Sequence, residues 1–150
     1  MSKNRLSRRT KARRRAVDTL YEANVKGLDQ DPEDLRELVE ARQRLSTAQT
    51  TLPDYAAEIA QGVAEHLFDI DMTLSQYSQA WALDRMPKPA LAILRCALWE
   101  ILYHDDGPWK IAVDEAVGTA RAISTPESPD FINGVLDAIG RSSEDNSSEQ

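Results

Sequence analysis

Met86-Pro87-Lys88-Pro89-Ala90-Leu91-Ala92-Ile93-Leu94-Arg95-Cys96-Ala97-Leu98-Trp99-Glu100-Ile101-Leu102 is the stretch that decides the fold. Two prolines stop any helix from running through its first four residues. After them Leu91, Leu94, Leu98, Ile101 and Leu102 recur at the spacing of a helix with one apolar face. The same period appears on both sides. Upstream, Leu6, Val17 and Leu20 share one face of a first helix, with Tyr21 at its margin and Gly27 as its stop. Asp31 caps a second helix that has Pro32 in its first turn and carries Leu35, Leu38, Val39, Arg42 and Leu45. A polar connection over 46–51 leads to a third, starting at Pro53 or Asp54, whose inner face is Ala56, Ile59, Ala60, Val63 and Leu67. Its neighbour carries Ile70, Leu74, Tyr77 and Trp81. Downstream, Gly107-Pro108 precedes a helix with Ile111, Val113, Ala116, Val117, Ala120 and Ile123. Ser128 then caps a last helix that opens on Pro129 and buries Phe131, Ile132, Val135, Leu136 and Ile139.

No strand-like alternation interrupts this series. It predicts an all-α protein of about seven helices in two small packed helical bundles. A single domain is expected over 1–141, with halves of about 1–86 and 87–141 divided at the double proline, followed by a disordered acidic tail over 142–150. The length of 150 residues suffices for a self-standing core. No window reaches the roughly 18 uninterrupted apolar residues of a membrane helix, and no apolar stretch follows the basic start as in a secretory signal. Cys96 is the one cysteine, which excludes an intramolecular disulfide and fits a reducing cytoplasm. With only His66 and His104 beside it, neither a metal site nor a cofactor is expected.

The net charge of −7 conceals an opposition. Residues 1–26 hold nine basic groups against Asp18 and Glu22, a balance of +7, and the remainder of the chain carries −14. A polyanion is therefore drawn to the N-terminal arm and repelled by most of the rest, while the acidic body suits a basic protein. Arg8, Lys11, Arg14 and Arg15 lie on the arc opposite and beside the apolar face of the first helix. Arg13 falls on the apolar side, as though the helix there had run past the edge of the core. An arginine-rich helix end grips phosphate oxygens in pairs. One basic helix without a second reading element suits a flexible RNA strand better than a duplex. Tyr21 fits either a base stack or a hydroxyl-tipped core position. The plainer alternative is a helical protein-binding adaptor or homo-oligomer whose basic run is a solvated tail.

No catalytic constellation emerges. The chain has no glycine-rich phosphate loop, no histidine pair at metal spacing and no Gly-x-Ser-x-Gly elbow. Asp114 and Glu115 are adjacent and point about 100° apart on a helix, so Glu115 is expected to face a basic neighbour or water. Cys96 reads as a small core hydrophobe, and both histidines as residues near helix C-termini. The protein is not expected to be an enzyme.

Several strings, in order, resemble the NusB family of bacterial transcription antitermination factors. They are Arg8-Arg9-Thr10-Lys11-Ala12-Arg13 with Ala16-Val17-Asp18-Thr19-Leu20-Tyr21, then Ala92-Ile93-Leu94-Arg95, Leu98-Trp99-Glu100-Ile101-Leu102, Val113-Asp114-Glu115-Ala116-Val117, and Phe131-Ile132-Asn133-Gly134-Val135-Leu136-Asp137. The resemblance implies a two-bundle helical fold and RNA binding without catalysis. It also implies recognition of boxA RNA in ribosomal RNA leader transcripts together with NusE, a small basic ribosomal protein, so that RNA polymerase resists termination. By matching position, Arg9, Lys11 and Arg13 fall where the family's basic arm meets RNA, with Arg8 and Arg14 in the same run. Tyr21 and Phe131 fall at RNA-proximal aromatic positions, and Glu127 lies in a loop beside them. Asn133 and Gly134 are expected to support the site, Gly134 by close helix packing and Asn133 by tying a neighbouring backbone. The chain departs from the family pattern at Ala90 and Leu91, where an acid and a base are common, and at Asp130, usually basic. Some relatives form homodimers, which leaves monomer or homodimer open here. A related helical domain serves rRNA methyltransferases as an accessory RNA-binding module, but a chain ending at Gln150 is not expected to carry the catalytic part.

Overall fold

A computed structural model of the protein describes residues 7–44 and 51–148. Lys3, Arg5, Leu6 and Leu45 lie outside the described residues, as does most of the 46–51 connection. The described chain forms seven helices: α1 (Arg8–Val25), α2 (Pro32–Arg44), α3 (Asp54–Glu65), α4 (Leu67–Tyr77), α5 (Lys88–Tyr103), α6 (Trp109–Ile123) and α7 (Ser128–Ser148). Their ends follow the local chemistry. Ser7 caps α1, its Oγ accepting the Thr10 N–H at 3.0 Å, and Asp31 accepts the Glu33 N–H at 2.8 Å ahead of Pro32. Gly27 (φ 72°) and Gly107 (φ 112°) make the left-handed turns after α1 and α5.

α5 is the axis. Every residue from Ala90 to Trp99 is buried, because α1, α3, α4, α6 and α7 all pack on it. One side of α5 carries α1 and α3, with α2 on α3; the other carries α6 and α7, and α4 leans on both α5 and α7. The two bundles thus share a helix and one continuous apolar core. Two glycines let large rings in: a Cβ at Gly62 or Gly140 would collide with the indole of Trp99 or Trp109.

Three expectations are corrected. Trp81 is not part of α4; it lies in the following loop, where Ser78 Oγ donates to its carbonyl and its ring meets Phe131 edge-on at 4.8 Å. Ile111 and Ile123 are exposed, since α6 packs through Ala112, Val113, Ala116 and Ala120 while Ile111 sits across the helix and Ile123 at its last turn. The stretch 142–148 is helical, not disordered. Composition alone misses the reason: Trp109 packs against Gly140 and donates its indole N–H to Glu144 at 2.8 Å, giving the end of α7 a tertiary partner.

The one fully buried guanidinium among the described residues belongs to α5. Arg95 donates twice to Asp71 of α4, at 2.9 and 2.8 Å, and once to Asp29 of the α1–α2 turn, at 2.7 Å. Burial pushes the Asp29 carboxyl up, but Arg95 and Asn24 outweigh it and hold it below the usual range. Removing Arg95 strands a buried carboxylate, so Arg95→Ala should cost about 3–5 kcal/mol in urea unfolding. On α1, Glu22 accepts from Arg42 of α2, which lowers its pKa to about 2 against burial, with help from Lys26. A carboxyl depressed in the folded state stabilises above its unfolded value of 4.5 and loses that contribution as pH falls. The stability gap between wild type and Glu22→Gln, read from thermal unfolding, should therefore shrink as pH falls from about 4.5 towards about 2.

Candidate nucleic-acid interface

α1 lies across α3 and α5, and its N-terminal turns are held by an ionic lattice. Arg13 donates through Nε to both oxygens of Glu100 on α5, at 2.9 and 3.1 Å, and through Nη1 to Glu115 on α6, at 3.1 Å. Thr10 donates to the same Glu115 oxygen at 2.7 Å, and the Tyr55 hydroxyl of α3 donates to Glu100 at 2.8 Å. Four helices meet in these bonds. The Arg13 side chain is only 12% exposed, and Glu100 less still. Burial opposes the Arg13 charge, but Glu100 and Glu115 outweigh it and raise its pKa. Burial, then the Glu100 charge, likewise push the Tyr55 phenol up, so it remains a donor.

This corrects the reading of Arg13. The helix has not run past the core there; the side chain enters the protein and finds two carboxylates, which leaves its guanidinium committed. Glu115 does face basic Arg13, as expected. Arg9 is also engaged, though at the surface: Nη1 meets Asp106 at 2.6 Å and the guanidinium lies over the Tyr55 ring, 4.0 Å from its centroid. The Asp106 carboxyl is lowered by that hydrogen bond.

Two other arm cations face outward, and a third does so in part. Arg8 and Lys11 are exposed, Arg14 is half-buried, and none of the three has a carboxylate partner among the described residues. Lys11, Arg14, Asp18 and Tyr21 follow one another at three- and four-residue spacing along one side of α1, and Tyr21 is 42% exposed. The apolar half of its two readings is thereby excluded as a full account, since a core tyrosine would be covered.

The expected residues of α7 stand elsewhere. Phe131 is half-buried against Trp81, Glu127 is exposed in the turn before α7, and among the described residues no hydrogen bond, ion pair or ring contact joins either to the arm. Gly134 does not permit close packing: it is exposed, and a Cβ there would meet nothing within 4 Å. Asn133 is exposed and ties no neighbouring backbone among the described residues. Ala90 and Leu91 are buried in the α5 packing, so neither presents a surface. Sequence reasoning missed Tyr55, Glu100, Asp106 and Trp81. The available signal was Glu100, a carboxylate inside the most apolar helix, which demands a buried partner.

Among the described residues the chain is an all-helical protein of seven helices, with a cationic face on α1 and an otherwise acidic body. A family profile for the NusB family matches residues 10–141. The transcription antitermination protein NusB of Bifidobacterium longum subsp. infantis is 47% identical over 131 residues, covering 87% of this chain and 67% of that protein. Among solved structures, T. maritima NusB superposes with a TM-score of 0.69 at 28% identity, covering 91% of this chain and 93% of its own. A complex of antitermination factors NusB and NusE with double-stranded RNA contains a chain of the same fold, with a TM-score of 0.68 at 22% identity, covering 89% of this chain and 96% of its own. The chain belongs to the NusB family of transcription antitermination proteins, which are not enzymes. Among the described residues no helix is long and apolar enough to cross a membrane.

The lattice and the open face separate by mutation. Arg13→Ala should lower stability by about 3 kcal/mol in urea unfolding, because two carboxylates lose their partner, whereas Lys11→Ala should stay within about 0.5 kcal/mol of wild type. Gly134→Ala should raise stability by up to about 1 kcal/mol, since a helical glycine with open space around it gives up helix propensity for no packing gain.

Proposed function

We propose that this chain binds single-stranded boxA-type RNA of ribosomal RNA leader transcripts along the outward side of α1, in the cytoplasm, as part of a complex that helps RNA polymerase resist termination. The observation that carries the reading is the row of Arg8, Lys11 and Arg14, cations without carboxylate partners among the described residues on a protein whose other charges are mainly acidic. Such a row offers charge to a phosphate backbone at no cost in broken ion pairs, and the acidic remainder keeps the strand on that side. Tyr21, exposed beyond Arg14, supplies an aromatic face for a base. Phe131, packed against Trp81, and Glu127, in the turn before α7, form a second contact region. The body's charge of −14 over 27–150 suits NusE, a small basic ribosomal protein, as the protein partner. Membership in the NusB family supports the same reading, and a chain of the same fold occurs in a solved complex of NusB and NusE with double-stranded RNA. Arg13 belongs to the framework of the site rather than to its contacts.

A titration of the full chain with boxA-type RNA across salt tests this. Three phosphate contacts predict log affinity falling with log salt at a slope near −2, from roughly 0.7 per contact on a single strand. Replacing Lys11 and Arg14 together by Ala should flatten the slope to about −0.7 and weaken boxA and unrelated RNA alike, whereas Tyr21→Ala should weaken boxA in preference. NusE should tighten the complex. A flat salt response in wild type, or unchanged binding by the double variant, contradicts the reading.

A further inference from the structure

By the family resemblance Arg9 falls where the basic arm meets RNA, yet its surroundings suit a task other than charge alone. Its cation is already met by Asp106 at 2.6 Å, so a phosphate there competes with a carboxylate. Its guanidinium rests over the Tyr55 ring, 4.0 Å from the centroid, and 47% of the side chain is still exposed. The ring beneath is braced in turn: the Tyr55 hydroxyl is bound to Glu100, and Glu100 is gripped by Arg13. A guanidinium is flat and weakly hydrated, and unpaired bases stack on guanidinium planes as they do on aromatic rings.

We propose that Arg9, pinned at its edge by Asp106 and supported from below by Tyr55, is a stacking platform for one unpaired nucleobase of the bound strand. Lys11 and Arg14 supply the phosphate charge; Arg9 supplies a plate. Asp106 is then a positioning residue that fixes the orientation of the plate, and Tyr55 completes a base–guanidinium–phenol stack. The inference rests on the RNA-binding reading given above and assigns a different contact within it.

The test uses the full chain and a series of boxA-type RNA oligomers, each with one abasic or 2-aminopurine nucleotide. Arg9→Lys keeps the charge and removes the plate. It should weaken binding on the order of tenfold, about the worth of one base stack, while the salt slope stays that of wild type. The loss should vanish for the oligomer that is abasic at one particular position. At that position 2-aminopurine fluorescence should rise on binding to wild type, as the base leaves its stack on neighbouring bases for the guanidinium, and should not on binding to Arg9→Lys. Asp106→Asn, which frees the guanidinium to wander, should weaken binding in the same position-dependent way. Wild-type affinity in Arg9→Lys, tighter binding in Asp106→Asn, or a loss that persists at every abasic position overturns the platform and returns Arg9 to a plain cation held by a competing carboxylate. Failure of wild type to bind any of the oligomers overturns the RNA-binding reading itself, and the platform falls with it.

Discussion

Arg13 enters the protein between Glu100 and Glu115, and the orientation of everything on α1 depends on that insertion. α5 and α6 each contribute one carboxylate, α3 contributes the Tyr55 hydroxyl, and the first turns of α1 are thereby fixed against three other helices. A buried ion pair adds little net stability over an apolar isostere, but it enforces a register, because any rotation of α1 leaves two carboxylates without a partner. With Arg13 turned inward, helical geometry turns Lys11, Arg14 and Tyr21 outward.

The basic run is therefore two populations of cations rather than one cloud. Arg13 and, at the surface, Arg9 are matched to carboxylates of the body; Arg8, Lys11 and Arg14 are not, among the described residues. The first population converts the acidity of the body into attachment of the arm. The second retains the charge that a phosphate backbone can use, and the body's remaining acids set the boundary of that surface. Affinity from such cations is sequence-blind.

The helical architecture was legible because its signals are local. The double proline before α5, Gly27 and Gly107 at their left-handed turns, and Asp31 with Pro32 each act within a few residues, and the apolar period does the rest. What escaped sequence reasoning depends on distant partners. Arg13 on an apolar face looks like an overrun helix until Glu100, 87 positions away, is placed beside it. The 142–148 stretch looks disordered until Trp109 is laid against Gly140. Gly134 and Gly140 are indistinguishable as letters, yet one faces open space and the other an indole. The basic character of the site was visible in composition; which cations remain unmatched was not, because that depends on where the acids of other helices come to lie.

The central claim is that α1 presents its outer cations to RNA while Arg13 stays locked inside. Nuclear magnetic resonance of the isotope-labelled full chain, following backbone amides and arginine Nε–H groups during addition of boxA-type RNA, tests it directly. The account predicts that signals of Arg8, Lys11, Arg14 and Tyr21 move progressively while the Arg13 Nε–H keeps its position. Movement of the Arg13 Nε–H as large as that of its neighbours, or an α1 left unmoved at saturating RNA, would contradict it.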